Sequence, residues 1–156
     1  MKEILLTQGK VALVDDEDFK RLNRYKWYAA KMGDTFYALR AIIVNKKQII
    51  HRMHWSIMKG KGVDHIYHNG LDNQKDNLRF CTKSQNGMNR KPNRNSKSPY
   101  KGAQWDKVQN KWRCAIVVNK KSIYLGVYVN DIDAAKAYDK AAKKYFGEFA
   151  YINFPE

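Results

Sequence analysis

The chain has 156 residues, 44% of them hydrophobic and 13% aromatic, and carries 30 Lys and Arg against 15 Asp and Glu, a net charge of +15. That length holds one ordinary domain or two to three small ones, and that apolar content excludes a disordered tail. So large a positive charge calls for a polyanionic partner, nucleic acid ahead of an anionic membrane surface, because no long basic amphipathic helix is visible to lie on lipid.

Residues 1–50 read as short strands and turns. The runs "EILLT", "KVALV", "KWYAA", "TFYALRAIIV" and "QII" are rich in aromatic and β-branched residues. Gly9, Gly33-Asp34 and Asn45-Lys46-Lys47 separate them as hairpin punctuation. "DDEDFKRLNRYKW" is the exception, a short helix capped by Asp15 or Asp16 with acids in its first turn. Residues 51–59, "HRMHWSIMK", form one amphipathic helix, with Met53 and Ile57 at i, i+4 and Trp55 and Met58 at i, i+3. The two cysteines, Cys81 and Cys114, belong to no CxxC pair and read as small buried thiols, which excludes a disulfide framework and a zinc ribbon. The N-terminus does not look like a signal peptide, and "AIIV" is far too short to span a membrane. A cytosolic, reducing setting is expected, not secretion.

The stretch "VDHIYHNGLDNQKDNLRFCTKSQN", 63–86, has little apolar periodicity and abundant Asn and Asp, which favour turns and caps. Its short "LRFC" reads as a strand, and "TKSQNGMNR" as a helix capped by Thr82 or Ser84 with Asn86 inside it. "NRKPNRNSKSP" then reads as a basic linker with no apolar anchor. Beyond it come three strands, "GAQWDKV", "KWRCAIVV" and "SIYLGVYV", and the helix "DIDAAKAYDKAAKKYFG". Asn130 or Asp131 caps that helix, Gly147 stops it, and Ala134, Tyr138, Ala141 and Tyr145 make the stripe that lies on the sheet.

"MHWSIM", "VDHI", "LDN", "DNLRFCT" and "SQN" agree in order and spacing with the HNH endonucleases found in phage and intron homing nucleases, which this segment of about 50–90 resembles. The resemblance implies a two-stranded finger and a helix around one metal ion. It implies His65 as the base that takes a proton from water, and Asp64 and Asn86 as oxygen ligands of one divalent ion, magnesium or manganese, with no small-molecule cofactor. Asn77 would hydrogen-bond backbone near His65 and fix the imidazole. His54 matches the family's upstream His, as a structural or a site-supporting residue, but Trp follows it where Arg is usual; Arg52 is a candidate to replace that phosphate contact. His68 is read as a loop residue, with contact to substrate as the alternative.

Residues 99–155 resemble the Apetala-two, or ethylene-response-factor, DNA-binding domain through Tyr-Lys-Gly, Lys-Trp, Tyr-Leu-Gly, Ala-Ala-x-Ala-Tyr-Asp and Asn-Phe-Pro. In that family the sheet lies in the DNA major groove and the helix backs it. Strand alternation puts Trp112, Cys114, Ile116 and Val118 on one apolar face with Ile123 and Leu125. The other face presents Arg113 and Tyr124, with Lys101, Gln104, Lys111, Lys120 and Lys121 at its margins, as the DNA surface. Trp105 either stacks or joins the core. Gln104, Ala115, Val117 and Ser122 stand where the plant proteins carry Arg and Glu, so few bidentate guanine readers remain and phosphate contacts should dominate.

The expected fold is therefore α+β: an N-terminal antiparallel β region (1–50), a central ββα-metal motif (51–90), a basic linker (91–99) and a three-stranded antiparallel sheet packed on one helix (100–156). The expected function is metal-dependent hydrolysis of duplex DNA, of the homing type carried by mobile elements of phages, acting by nicking in a bacterial or phage-infected cell, with the oligomeric state left open by the sequence. The alternatives are a DNA-binding regulator that does not cut and an RNA-binding basic protein.

Overall fold

A computed structural model describes residues 1–155. Its contacts divide the chain into two compact units, Met1–Thr82 and Lys83–Glu156. Within the first unit one apolar core runs from Ile4 through Trp27 and Met53 to Leu78, so the N-terminal strands and the "VDHI" segment bury their side chains together.

In the first unit, β1 (Lys2–Leu5) and β2 (Val11–Val14) form an antiparallel pair. Helix α1 (Asp16–Leu22) follows, with Asp15 at its N-cap position. The Asp15 carboxylate does not cap the helix. Instead it accepts from the Lys75 N–H (2.9 Å) and from Gln74 Nε2 (3.5 Å). The first acid of the run thus ties the turn that leads into Asn77. Strands β3 (Tyr28–Met32), β4 (Thr35–Val44) and β5 (Lys47–Arg52) make an antiparallel meander.

The expected helix over 51–59 shrinks to α2 (Met53–Ile57). His51 and Arg52 pair instead with Arg40 and Leu39 as the end of β5. Their backbone groups gain ladder partners there that a helix start would leave unsatisfied. Two short strands, β6 (Val63–His65) and β7 (Leu78–Phe80), pair antiparallel and close the unit.

The second unit opens with α3 (Lys83–Asn89). Strands β8 (Ala103–Asp106), β9 (Lys111–Val118) and β10 (Lys121–Tyr128) form an antiparallel sheet in the order β10-β9-β8. Helix α4 (Asp131–Phe146) packs on it. Asn130 caps α4, its Oδ1 accepting from the Asp133 N–H (2.8 Å), and Gly147 ends it at φ +54°.

Ala134, Tyr138 and Ala141 of the expected stripe are buried against the sheet, together with Ala142 and Phe146, while Tyr145 is exposed. A bulge between Tyr124 and Gly126 shifts the β9–β10 register, so Tyr128 comes opposite Trp112. The bulge lets Ile123, Leu125 and Tyr128 all pack on this core.

Residues 91–99 are tied to the second unit by polar groups rather than apolar ones. The buried Ser98 hydroxyl donates to Asp131 Oδ2 (2.8 Å), and Lys97 sits over the Trp105 ring. Cys114 is buried as expected and Cys81 half-buried. No helix of the described residues is long and apolar enough to cross a membrane.

Candidate active site and nucleic-acid face

Strand β6 alternates Val63 in, Asp64 partly out and His65 in. Val63 anchors the strand in the core, so the two polar neighbours point to opposite sides of a very short ribbon. Asp64 keeps 12% of its side-chain surface, and Arg79, its register partner on β7, approaches its Oδ2 at 3.3 Å. His65 is 5% exposed, and its Nε2 lies 3.4 Å from Asn73 Oδ1. Burial pushes His65 below the ordinary imidazole value, against the upward pull of the Asn73 bond and of the Asp64 and Asp72 carboxylates.

The loop that follows is built from Asn side chains. Asn77, fully buried, accepts from the Tyr67 N–H (2.8 Å) and donates to the Asp72 carbonyl (2.8 Å). The Ile66 N–H donates to the Asn77 carbonyl (2.8 Å). Asn77 therefore staples both ends of the loop just beyond His65. Asn73 is held from the other side. Its N–H donates to the Leu13 carbonyl and the Leu13 N–H donates to the Leu71 carbonyl, a parallel bridge onto β2. That bridge explains why the N-terminal strands belong to this unit.

His54, on α2, is buried and stands edge-on to His65 with ring centroids 4.7 Å apart. Tyr37 packs against both rings. His54 Nε2 has no hydrogen-bond partner among the described residues. Burial pushes its pKa down to about 3, with the neighbouring His65, Arg52 and His51 adding to the effect. The ring is therefore neutral, and it packs as an aromatic wall behind His65. Arg52 spreads over the Tyr37 and Trp55 rings. His68 adopts a left-handed backbone (φ +61°) in the loop, its N–H donating to the His65 carbonyl (3.2 Å).

Asp64, His65, Asn77, His54, His68 and Arg52 all lie in the first unit, whereas Asn86 sits exposed on α3 of the second. Asn73, Tyr37 and Arg79 were not singled out from the sequence. Asn73 stood inside the "LDN" element with no role given to it, and Arg79 inside "DNLRF". Tyr37 left no local signal, being brought in by the meander.

Among the described residues no three His, Cys, Asp or Glu side chains cluster as a metal cage. The donor set instead fits a hard, hydrated divalent ion. Magnesium keeps several waters and binds through one or two carboxylates plus substrate phosphates. Asp64, adjacent to the candidate base on β6, is a partly exposed carboxylate that can take such a role.

In the second unit, Gln104, Lys111, Arg113, Lys120, Lys121 and Tyr124 are exposed on the sheet face away from α4 or at its margin. Gln104 pairs with Arg113, and the Arg113 guanidinium lies over the Tyr124 ring at 5.7 Å. Lys101 is placed differently. Its Nζ donates to the Met88 carbonyl (2.6 Å) and the Arg90 carbonyl (2.7 Å), the end of α3. Burial lowers its pKa to about 8, with Arg90 contributing. That lysine is engaged in holding α3. Trp105 is half-buried and meets Trp112 edge to face.

Comparison with known proteins gives three likenesses. The chain is 30% identical over 151 residues to the uncharacterized HNH endonuclease L560 of Acanthamoeba polyphaga mimivirus, covering 94% of this chain and 76% of that protein. It is 35% identical over 65 residues to Protein 3.8 of Escherichia phage T7, covering 42% of this chain and 54% of that protein. A stretch of 56 residues is 41% identical to the AP2-like ethylene-responsive transcription factor At1g79700 of Arabidopsis thaliana, covering 36% of this chain and 18% of the plant protein. No family profile and no solved structure matches the chain.

Proposed function

The chain belongs to the HNH endonuclease family, and from that premise we propose that it is a metal-dependent endonuclease that nicks duplex DNA held partly by its C-terminal sheet. The observation that carries the reading is the Asp64–His65 pair on β6, with His65 buried, facing Asn73 and backed by neutral His54. With Asn73 Oδ1 accepting from Nε2–H, the neutral tautomer carries its acceptor lone pair on Nδ1. That nitrogen takes the proton from the attacking water. The Asn77 staple keeps the following loop from dragging His65 out of line.

Asp64 would hold the divalent ion, and the resemblance adds Asn86 as a second oxygen ligand. When bound, such an ion supplies Lewis-acid stabilisation of the phosphoryl oxygens. Arg79 Nη2, 3.3 Å from Asp64 Oδ2, balances the Asp64 charge. The exposed Lys111, Arg113, Lys120 and Lys121 favour phosphates over bases, and Gln104 and Tyr124 offer little base discrimination. One such site per chain makes one nick per bound monomer.

The test is conversion of supercoiled plasmid by wild type and His65→Ala, with magnesium or manganese and with chelator. Metal-dependent open circle from wild type only, with the variant still binding DNA, is the expected result. Tight binding with no cutting under any divalent ion would turn the assignment to a DNA-binding protein, the function suggested by the likeness to the plant factor alone.

A further inference from the structure

The meander of the first unit has an outer half that no core explains. Strand β3 pairs with β4 only as far as the Tyr28–Leu39 pair. Beyond it β4 is bonded to β5, through Arg40–His51 at the base and then four outer pairs, Ala41–Ile50, Ile42–Ile49, Ile43–Gln48 and Val44–Lys47. At about 3.3 Å per residue these four pairs make a two-stranded ribbon roughly 13 Å long. Ile43 is 79% exposed, and Val44, Ile49 and Ile50 are each about half exposed. A ribbon with apolar residues bare on both faces has no stabilising contact of its own, and such exposure marks a surface meant to be covered.

The charge says by what. From Thr35 to Val63 there is no Asp or Glu, while Arg40, Lys46, Lys47, Arg52, Lys59 and Lys61 lie within the segment. The ribbon's base is held firm by Arg40, whose guanidinium stacks over Tyr25 at 3.8 Å and Trp27 at 5.2 Å. The tip is a two-residue turn with Asn45 at φ +50° and Lys46 at φ +62°. Glycine suits the second position of that turn best, so a lysine there keeps a cation at some conformational cost.

The same tip occurs twice. Val44-Asn45-Lys46-Lys47 ends the β4–β5 ribbon, and Val118-Asn119-Lys120-Lys121 ends the β9–β10 hairpin, with Asn119 and Lys120 at φ +50° and +65°. The second copy borders the sheet face assigned above to DNA.

We propose that the outer β4–β5 ribbon is a second duplex-DNA contact, inserted in a groove with Lys46 and Lys47 on the phosphates. This rests on duplex DNA being the substrate. The major groove, about 12 Å wide and 8.5 Å deep, admits a two-stranded ribbon of this length. Ile43 and Ile50, opposite-strand residues on one face, then meet the groove wall, where thymine methyls are the apolar partners.

The experiment is duplex binding by the full chain in chelator, so that cutting plays no part, over a range of salt. The variant is Lys46→Gly with Lys47→Gln. Glycine is the better residue for the turn, so a folding defect is not expected. Two lost phosphate contacts should flatten the slope of log K against log salt by about 1.8. Lys120→Gly with Lys121→Gln is the matched comparison at the other tip. An unchanged slope for the ribbon variant, with the comparison variant flattened, overturns the ribbon proposal and leaves the nuclease assignment standing. Failure of wild type to bind duplex DNA removes both. A wild type that sediments as a dimer, and an Ile43→Asp variant that sediments as a monomer with an unchanged slope, would give the ribbon to a second copy of the chain instead.

Discussion

At the scale of single residues, His54 shows how burial sets a chemical state. The ring has no partner at Nε2 among the described residues, and burial lowers its pKa to about 3. In the unfolded chain the same ring takes a proton near 6.5. The unfolded state therefore binds more protons once pH drops below that value. The contribution of His54 to stability is complete above about pH 6.5 and is lost as pH falls toward about 3. By linkage the loss across that window is on the order of 4–5 kcal/mol. Urea unfolding of wild type between pH 7 and 4 should show a steep decline. His54→Phe, which keeps a ring against His65 but cannot be protonated, should flatten it. Equal slopes would mean that another group drives the acid sensitivity.

At the scale of elements, close approach matters more than propensity. Gly102 precedes β8 with φ +89°, and a Cβ there would run into the Tyr138 ring of α4. The turn lets α4 seat Tyr138 on Ala103 and Cys114 within the second core. Gly102→Ala combines backbone strain with overpacking and should destabilise this unit by about 3–5 kcal/mol. Thermal or urea unfolding followed by Trp fluorescence measures it, since Trp105 and Trp112 lie in the adjoining strands. The elements themselves were largely readable. Every expected strand run carries a strand, and both α1 and α4 fall where acids, Asn130 and Gly147 placed them. The exception is instructive. "HRMHWSIMK" has helical spacing, yet its first two residues belong to β5, because β4 offered ladder partners that periodicity cannot see.

At the scale of the molecule there are two cores, one for each unit. Each core buries its own aliphatic and aromatic residues, so unfolding need not be a single event. Denaturation should resolve two transitions, and Gly102→Ala should move one of them and leave the other in place. A single transition that shifts as a whole would show that the two units unfold together.

The charge, the order of the elements and the identity of the motifs were determined by the sequence alone, because these are local or additive properties. Strand alternation on β9 placed Cys114 and Ile116 in the core with no structure at hand. The five short elements from "MHWSIM" to "SQN" that carry the family resemblance were likewise legible in the sequence. Tertiary structure decided what depends on distant chain segments. It put Asn73 against His65 through a bridge to β2, brought Tyr37 behind both histidines, and turned Lys101 from a surface cation into the group that holds the end of α3. It also left the β4–β5 ribbon bare, although the composition of "RAIIVNKKQII" would have suited a covered sheet. Whether a side chain is covered depends on whether a third strand reaches it, and β3 ends its pairing at Leu39.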